Sequence, residues 1–262
     1  MDRPWYNSYP EEVPRQLQYE DQSLADLLIR SAERFPNHVA LEFMGRRIRY
    51  RELLSKAYRF ANAIKGMGIK PGDRVALMLP NCPQYVIAYY GTLFAGGIVV
   101  QTSPLNSEQE LRHQMQDSGA ALIVCLDLVY PKVKAVQAET SLSHVIVTGI
   151  EDGLPFPLNK VYPLLQRTQK SALKEPMMRW RRFLQHAASE PLNPPSEHTG
   201  DLAAVLQYTG GTTGEPKGVM LTHANLLANV KQCEAWMYKI EKGEEVMLTA
   251  VPLFHVYGMT VA

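Results

Sequence analysis

The chain has 262 residues, 46% of them apolar and 20% charged, the balance of a soluble globular protein with one large domain or two ordinary ones. Its net charge of +1 lacks the basic footprint of a nucleic-acid binder, so no nucleic acid is expected among its partners. Cys82, Cys125 and Cys233 stand far apart, without C-x-x-C spacing or paired histidines. That disfavours a zinc site and a disulfide framework and fits the reducing cytoplasm.

Residues 1–22 are polar and proline-broken, an extended segment that is neither a signal nor a transit peptide. Ser23 with Asp26 three residues on forms a capping box for a helix through Phe35, with Pro36 beyond its end. "VALEF" and "RIRY" flank Gly45 as a hairpin, and Glu52 to Met67 is a second amphipathic helix stopped at Gly68. "RVALMLP" is then a strand, "PQYVIAYYGTLFA" a helix and "IVVQ" a strand, buried together and interrupted by glycines. Ser107 and Glu110 cap the helix "SEQELRHQMQDS". "ALIVC", a helix over 128–139 and "HVIVT" complete a first lobe at 23–150. Apolar strands alternating with helices predict βαβ units: an α/β fold of mostly parallel sheets covered by helices on both faces. No run reaches the ~18 apolar residues of a membrane span.

Residues 151–200 differ, with proline-rich ends bracketing the basic stretch "QRTQKSALKEPMMRWRRFLQ". They predict an insertion or linker between two lobes. Two readings of this stretch stand side by side. In one, Met177, Met178, Trp180, Phe183 and Leu184 face a membrane surface while Arg179, Arg181 and Arg182 face its headgroups. The favoured one is a short solvated helix, limited by Pro176, that packs a few side chains on the body. A second lobe starts at 201 and runs to 262: strand "DLAAVLQYT", a glycine loop, strand "GVMLTH", a helix from Ala224 to Ile240, strand "EVMLTA", and the loop segment "VPLFHVYGM". His223 is expected as a helix-start or packing residue, and Lys231, Trp236 and Tyr238 as ordinary face residues.

The loop "QYTGGTTGEPKGV" cannot be core. Glycines leave backbone amides unobstructed and allow positive φ, so successive N–H groups can form an anion nest. Thr209, Thr212 and Thr213 offer hydroxyls to phosphate oxygens or a hydrated magnesium ion, and Lys217 adds a charge. A Walker loop is excluded: begun at Gly210 it would need glycine where Glu215 stands, and Lys217 is followed by Gly218 rather than a hydroxyl. Fixing about nine residues costs roughly 1–2 kcal/mol each in backbone entropy. The loop is therefore expected to order on a nucleotide rather than before it.

"YTGGTTGEPKGVMLTH" resembles the signature loop of the adenylate-forming superfamily, which includes acyl-CoA synthetases, peptide-synthetase adenylation domains and firefly-type luciferases. Gly210 replaces a frequent hydroxyl, as is familiar in bacterial long-chain acyl-CoA synthetases. "VPLFHVYGM" is similar to the family's P-[LM]-F-H-x-x-G segment beside the acyl pocket. "PNCPQYVIAYYGTLFAGGIVVQTSPLNSEQELRHQMQDSGAALIV" resembles its early helix–strand region. The likeness runs from about residue 23 to the end. It implies ATP-dependent activation of a fatty acid to an acyl-adenylate, then transfer to coenzyme A. It further implies that Thr209, Gly210, Gly211, Thr212, Thr213, Gly214 and Lys217 hold the β and γ phosphates. Thr209 would lie nearest Mg²⁺, and His255 would help place the carboxylate. Medium-chain or aryl acids are alternative substrates, and a non-catalytic nucleotide- or acyl-binding fragment is the alternative from another class. The adenine, ribose and late catalytic-lysine segments of the family match nothing in this sequence. The chain is thus expected to be an incomplete N-terminal domain of the adenylate-forming fold, inactive alone, with an unpaired sheet edge liable to form a homodimer.

Overall fold

A computed structural model describes residues 3–165, 177–185, 187–192, 199–209 and 215–261. Helix α1 (Leu24–Arg34) is followed by the hairpin β1 (Val39–Phe43) and β2 (Arg46–Arg49), then by α2 (Tyr50–Gly66). The sequence continues through β3 (Arg74–Met78), α3 (Pro83–Phe94), β4 (Ile98–Gln101), α4 (Glu108–Ser118), β5 (Leu122–Leu126), α5 (Tyr130–Gln137) and β6 (His144–Thr148). Next come α6 (Leu158–Leu165), β7 (Met178–Arg179), α7 (Trp180–Gln185), β8 (Ala203–Thr209), β9 (Lys217–Thr222), α8 (His223–Trp236) and α9 (Val256–Val261). Both predicted capping boxes are present: Ser23 Oγ accepts from the Ala25 amide while Asp26 binds back to Ser23 N, and the Ser107–Glu110 pair is reciprocal.

One seven-stranded sheet, in the order β7-β6-β5-β3-β4-β8-β9, organises the molecule. All its pairings are parallel except β8 with β9. Alternation along the strands builds two cores. Val75, Leu77, Val99, Leu122, Val124 and Ile146 face α1, α2, α3 and α7, while Ala76, Met78, Val100, Ile123 and Val147 face α4 and α5. Helix α3 is apolar nearly all round because it is buried nearly all round. Gly91 makes that possible: a Cβ there would lie 2.6 Å from the Phe60 ring and 2.9 Å from the Ala57 carbonyl, so α2 and α3 could not approach. The free thiols of Cys82 and Cys125 are core residues, and burial pushes Cys82 up to about 12, which makes it chemically inert.

Strand β8, from the segment after residue 200, pairs with β4 along Val99–Val205 to Gln101–Gln207. Backbone groups on the open side of β4 need partners, and the later strand supplies them whatever its distance in sequence. Two expectations are corrected. First, "EVMLTA" is not a strand. Val246 and Leu248 are 92% and 89% exposed, and no described strand lies beside them to complete a ladder or bury the run. Second, α8 ends at Trp236, which leaves Tyr238 and Ile240 beyond the helix.

The basic stretch follows the packing reading where it is described. Trp180 and Phe183 are buried against Phe60, with ring centroids 5.6 and 5.5 Å away, and Arg181 Nε pairs with Asp152 at 2.5 Å. The aromatic side chains proposed for a membrane are thus turned onto α2.

Candidate functional site

Ligands of open α/β sheets collect at the carboxyl ends of the strands, where successive connections leave in opposite directions. Here the chain passes from β3 to β4 on one side, then crosses back over β3 to β5. Two sequence-predicted features converge on that end of the sheet. Thr209 is the last residue of β8 and Lys217 the first of β9, directly opposite one another in the antiparallel register. Both are exposed, and the Lys217 ammonium makes no ion pair with another described residue. Gly210, Gly211, Thr212, Thr213 and Gly214 lie outside the described residues, as does the expectation about their ordering.

Tyr208 and Gly218, both motif residues, are also partners in that register. A Cβ on Gly218 would sit 3.0 Å from the Tyr208 ring, so glycine is what lets the ring lie across β9. The phenol then reaches the Asp117 carboxylate of α4 and lies 3.5 Å from the Gln114 carbonyl. Burial, reinforced by Asp117, raises its pKa and keeps it protonated. On the far side of the loop, His113 Nε2 is 2.8 Å from the Pro216 carbonyl, and its Nδ1 is 3.7 Å from the Glu215 carboxylate.

The second feature, Leu253 to Met259, is tied to the ends of β3 and β4. Asn81 donates to the carbonyls of Thr249 and Val251 at 3.0 and 2.9 Å and accepts from Leu253 N at 2.8 Å. The Tyr85 hydroxyl lies within reach of the Leu253 carbonyl and of Gln101 Oε1, and Gln101 Nε2 approaches Met259 Sδ at 3.0 Å. Tyr85 is fully buried, which pushes its pKa well up. Gln114 Nε2 donates to the Gln101 carbonyl at 2.7 Å, so α4 reaches the residue of β4 that meets Met259. His255 itself is exposed. Its Nδ1 accepts from the Tyr257 amide at 3.3 Å, capping α9, and Nε2 makes no hydrogen bond with another described residue. The structure brings Thr209 and Lys217 together; His255 reaches the same end of the sheet on a separate segment.

Sequence reasoning did not find Asn81, Tyr85, Gln101, His113 or Asp117. Asn81 had a signal, an Asn–Cys–Pro run between a buried strand and a helix start, where a side-chain amide can bridge turns. His113, on a helix face with ordinary polar neighbours, had none. His223 takes the packing role expected: it is 6% exposed, opens α8 and accepts the Leu24 amide on Nδ1 at 3.1 Å.

Residues 28–262 match the family model described as AMP-binding enzyme. The chain belongs to the AMP-binding enzyme family. A long-chain-fatty-acid–CoA ligase of Bacillus subtilis is 44% identical over 261 residues, which are 98% of this chain and 47% of that protein. One from Salmonella typhimurium is 39% identical over 99% of this chain and 47% of its own length. The chain therefore spans about half the length of these curated relatives. Among solved structures, a long-chain-fatty-acid-CoA ligase from Archaeoglobus fulgidus superposes with a TM-score of 0.75 at 24% identity, over 94% of this chain and 46% of its own. That likeness concerns the fold. It agrees with a mostly parallel, helix-covered sheet forming an N-terminal part of the adenylate-forming architecture.

Proposed function

We propose that this AMP-binding chain is the N-terminal part of a long-chain fatty acid–CoA ligase, which activates a fatty acid with ATP and passes the acyl group to coenzyme A. The reading rests on one observation above others: Lys217, which makes no ion pair with another described residue, and Thr209 stand opposite one another where β8 and β9 flank the Gly/Thr loop on the carboxyl edge of the sheet.

The donor set fits a triphosphate. Thr209 and Lys217 present only a hydroxyl and an ammonium there, and phosphate oxygens accept from both. Among the described residues no group of three or more His, Cys, Asp or Glu side chains is placed to hold a metal ion. Thr209 is the one described residue that the family resemblance would put near Mg²⁺, whose chemistry would be charge neutralisation on the phosphates. Lys217 would neutralise charge that grows as pyrophosphate departs, an electrostatic contribution made before the reaction by a fixed geometry. His255, through Nε2, would orient the fatty carboxylate for attack on the α-phosphorus. Gly210, Gly211, Thr212, Thr213 and Gly214 complete the proposed phosphate set.

No helix of the described residues is long and apolar enough to cross a membrane. We place the reaction in the cytoplasm. Contact with the inner face of a membrane is tested by vesicle flotation, and a homodimer through the outer edge of β9 by sedimentation. The deciding experiment is ATP–pyrophosphate exchange with palmitate, octanoate and an aromatic acid, on a protein of the relatives' full length that carries this sequence. Palmitate-dependent exchange is expected, reduced at least tenfold by Lys217→Ala, the loss of one charge-assisted contact. No exchange with any acid would leave the non-catalytic binding module as the correct reading.

A further inference from the structure

Resting on that reading, we propose that His113 of α4 is a positioning residue for the nucleotide step, holding the outgoing strand of the phosphate loop so that Lys217 meets its ligand. Both feet of the loop lean on this one helix. The incoming foot is tied by Tyr208, whose ring crosses Gly218 to reach Asp117. The outgoing foot is tied by His113 Nε2 to the Pro216 carbonyl, one residue before Lys217. A carbonyl only accepts, so Nε2 carries the hydrogen. Among the described residues the β8–β9 ladder begins at Lys217, and the partner this carbonyl has there is the His113 side chain.

The helix is a firm abutment. Its start is closed by the Ser107–Glu110 box, and its last carbonyls are met by Arg74, which donates to the Ser118 and Gly119 oxygens at 2.7 and 2.9 Å. Gly119 ends it in the left-handed conformation. Leu111 and Met115 on its other side are buried in the sheet core. Gln114, beside His113, grips the end of β4 that carries the Leu253–Met259 segment. Helix α4 thus fixes the loop foot relative to the segment bearing His255, and His113 is the contact that reaches it.

The experiment has two arms. In the 262-residue chain, trypsin cleavage after Lys217 reads the anchoring of this foot without any nucleotide. His113→Ala should accelerate it about three- to tenfold, the worth of one hydrogen bond, and His113→Gln, which retains a donor amide, should restore it. In the full-length protein, His113→Ala should raise the KM for MgATP by a similar factor, leave the KM for palmitate unchanged and hold kcat within about twofold. A merely structural role would lower the urea midpoint without this split and without rescue by glutamine. Unchanged cleavage in His113→Ala overturns the anchor whatever the protein catalyses. Faster cleavage with an unchanged KM for ATP overturns its role in the nucleotide step. Failure of the ligase reading itself is distinguishable, because it shows in the parent protein as an absence of ATP-dependent exchange.

Discussion

Acidification should destabilise this chain through His223, and the size of the effect follows from its surroundings. The imidazole is buried, its Nδ1 accepts the Leu24 amide at 3.1 Å, and it sits at the first residue of α8, the positive end of a helix. Protonation would bury a charge and turn the only atom facing that amide into a second donor. Burial therefore lowers its pKa from the usual 6.5 to about 4, with Asp26 opposing only in part. The sign is that of a depressed folded value: the unfolded chain takes up the proton first. The stabilising contribution is complete above about pH 6.5 and is lost as pH falls toward about 4. Each pH unit between the two values is worth about 1.4 kcal/mol, so the whole interval amounts to about 3 kcal/mol. Urea unfolding between about pH 7.5 and about pH 4.5 measures it, with His223→Gln as reference, since glutamine can accept from the Leu24 amide and does not titrate. The parent should lose about 2–3 kcal/mol more than the variant over that range. Parallel pH profiles for the two proteins would refute the assignment of acid sensitivity to this imidazole.

Three further outcomes are expected. Gly91→Val should destabilise by about 1–3 kcal/mol or more, because its Cβ would meet Phe60 and the Ala57 backbone, and a denaturation midpoint equal to that of the parent would contradict the tight α2–α3 contact. Trp180→Ala should cost about 3–5 kcal/mol through the lost packing on Phe60; a neutral effect, paired with a loss of vesicle binding, would revive the membrane role for this stretch. Asn81→Ala removes the partner of three backbone groups. It should speed hydrogen exchange at the Leu253 amide about tenfold, with slower change in the α3 core, whereas uniform exchange would deny Asn81 a local role.

The capping boxes at Ser23 and Ser107, the Gly45 hairpin and the strand–helix alternation from Arg74 to Thr148 were legible in the sequence. Each depends on residues close together along the chain, whose propensities and periodicities agree with the final fold. "EVMLTA" has the composition of a strand yet forms none, because a strand needs a neighbour to share its hydrogen bonds and cover its side chains. The pairing of β8 with β4 was hidden for a related reason: a proline-rich stretch shows where regular structure pauses, not which strand will later fill the open side of β4. At the site, the Gly/Thr loop announced itself by composition, whereas its supports did not.

The order of residues alone determined the class of fold, the family motifs and the chemical character of Thr209, Lys217 and His255, since these reside in side-chain identity and local spacing. Only tertiary structure decided that β8 would lie beside β4, that Tyr208 would cross Gly218 to Asp117, and that His113 would meet Pro216. Those contacts join positions up to about a hundred residues apart. Their worth comes from burial and hydrogen bonding that exist only once the sheet has closed.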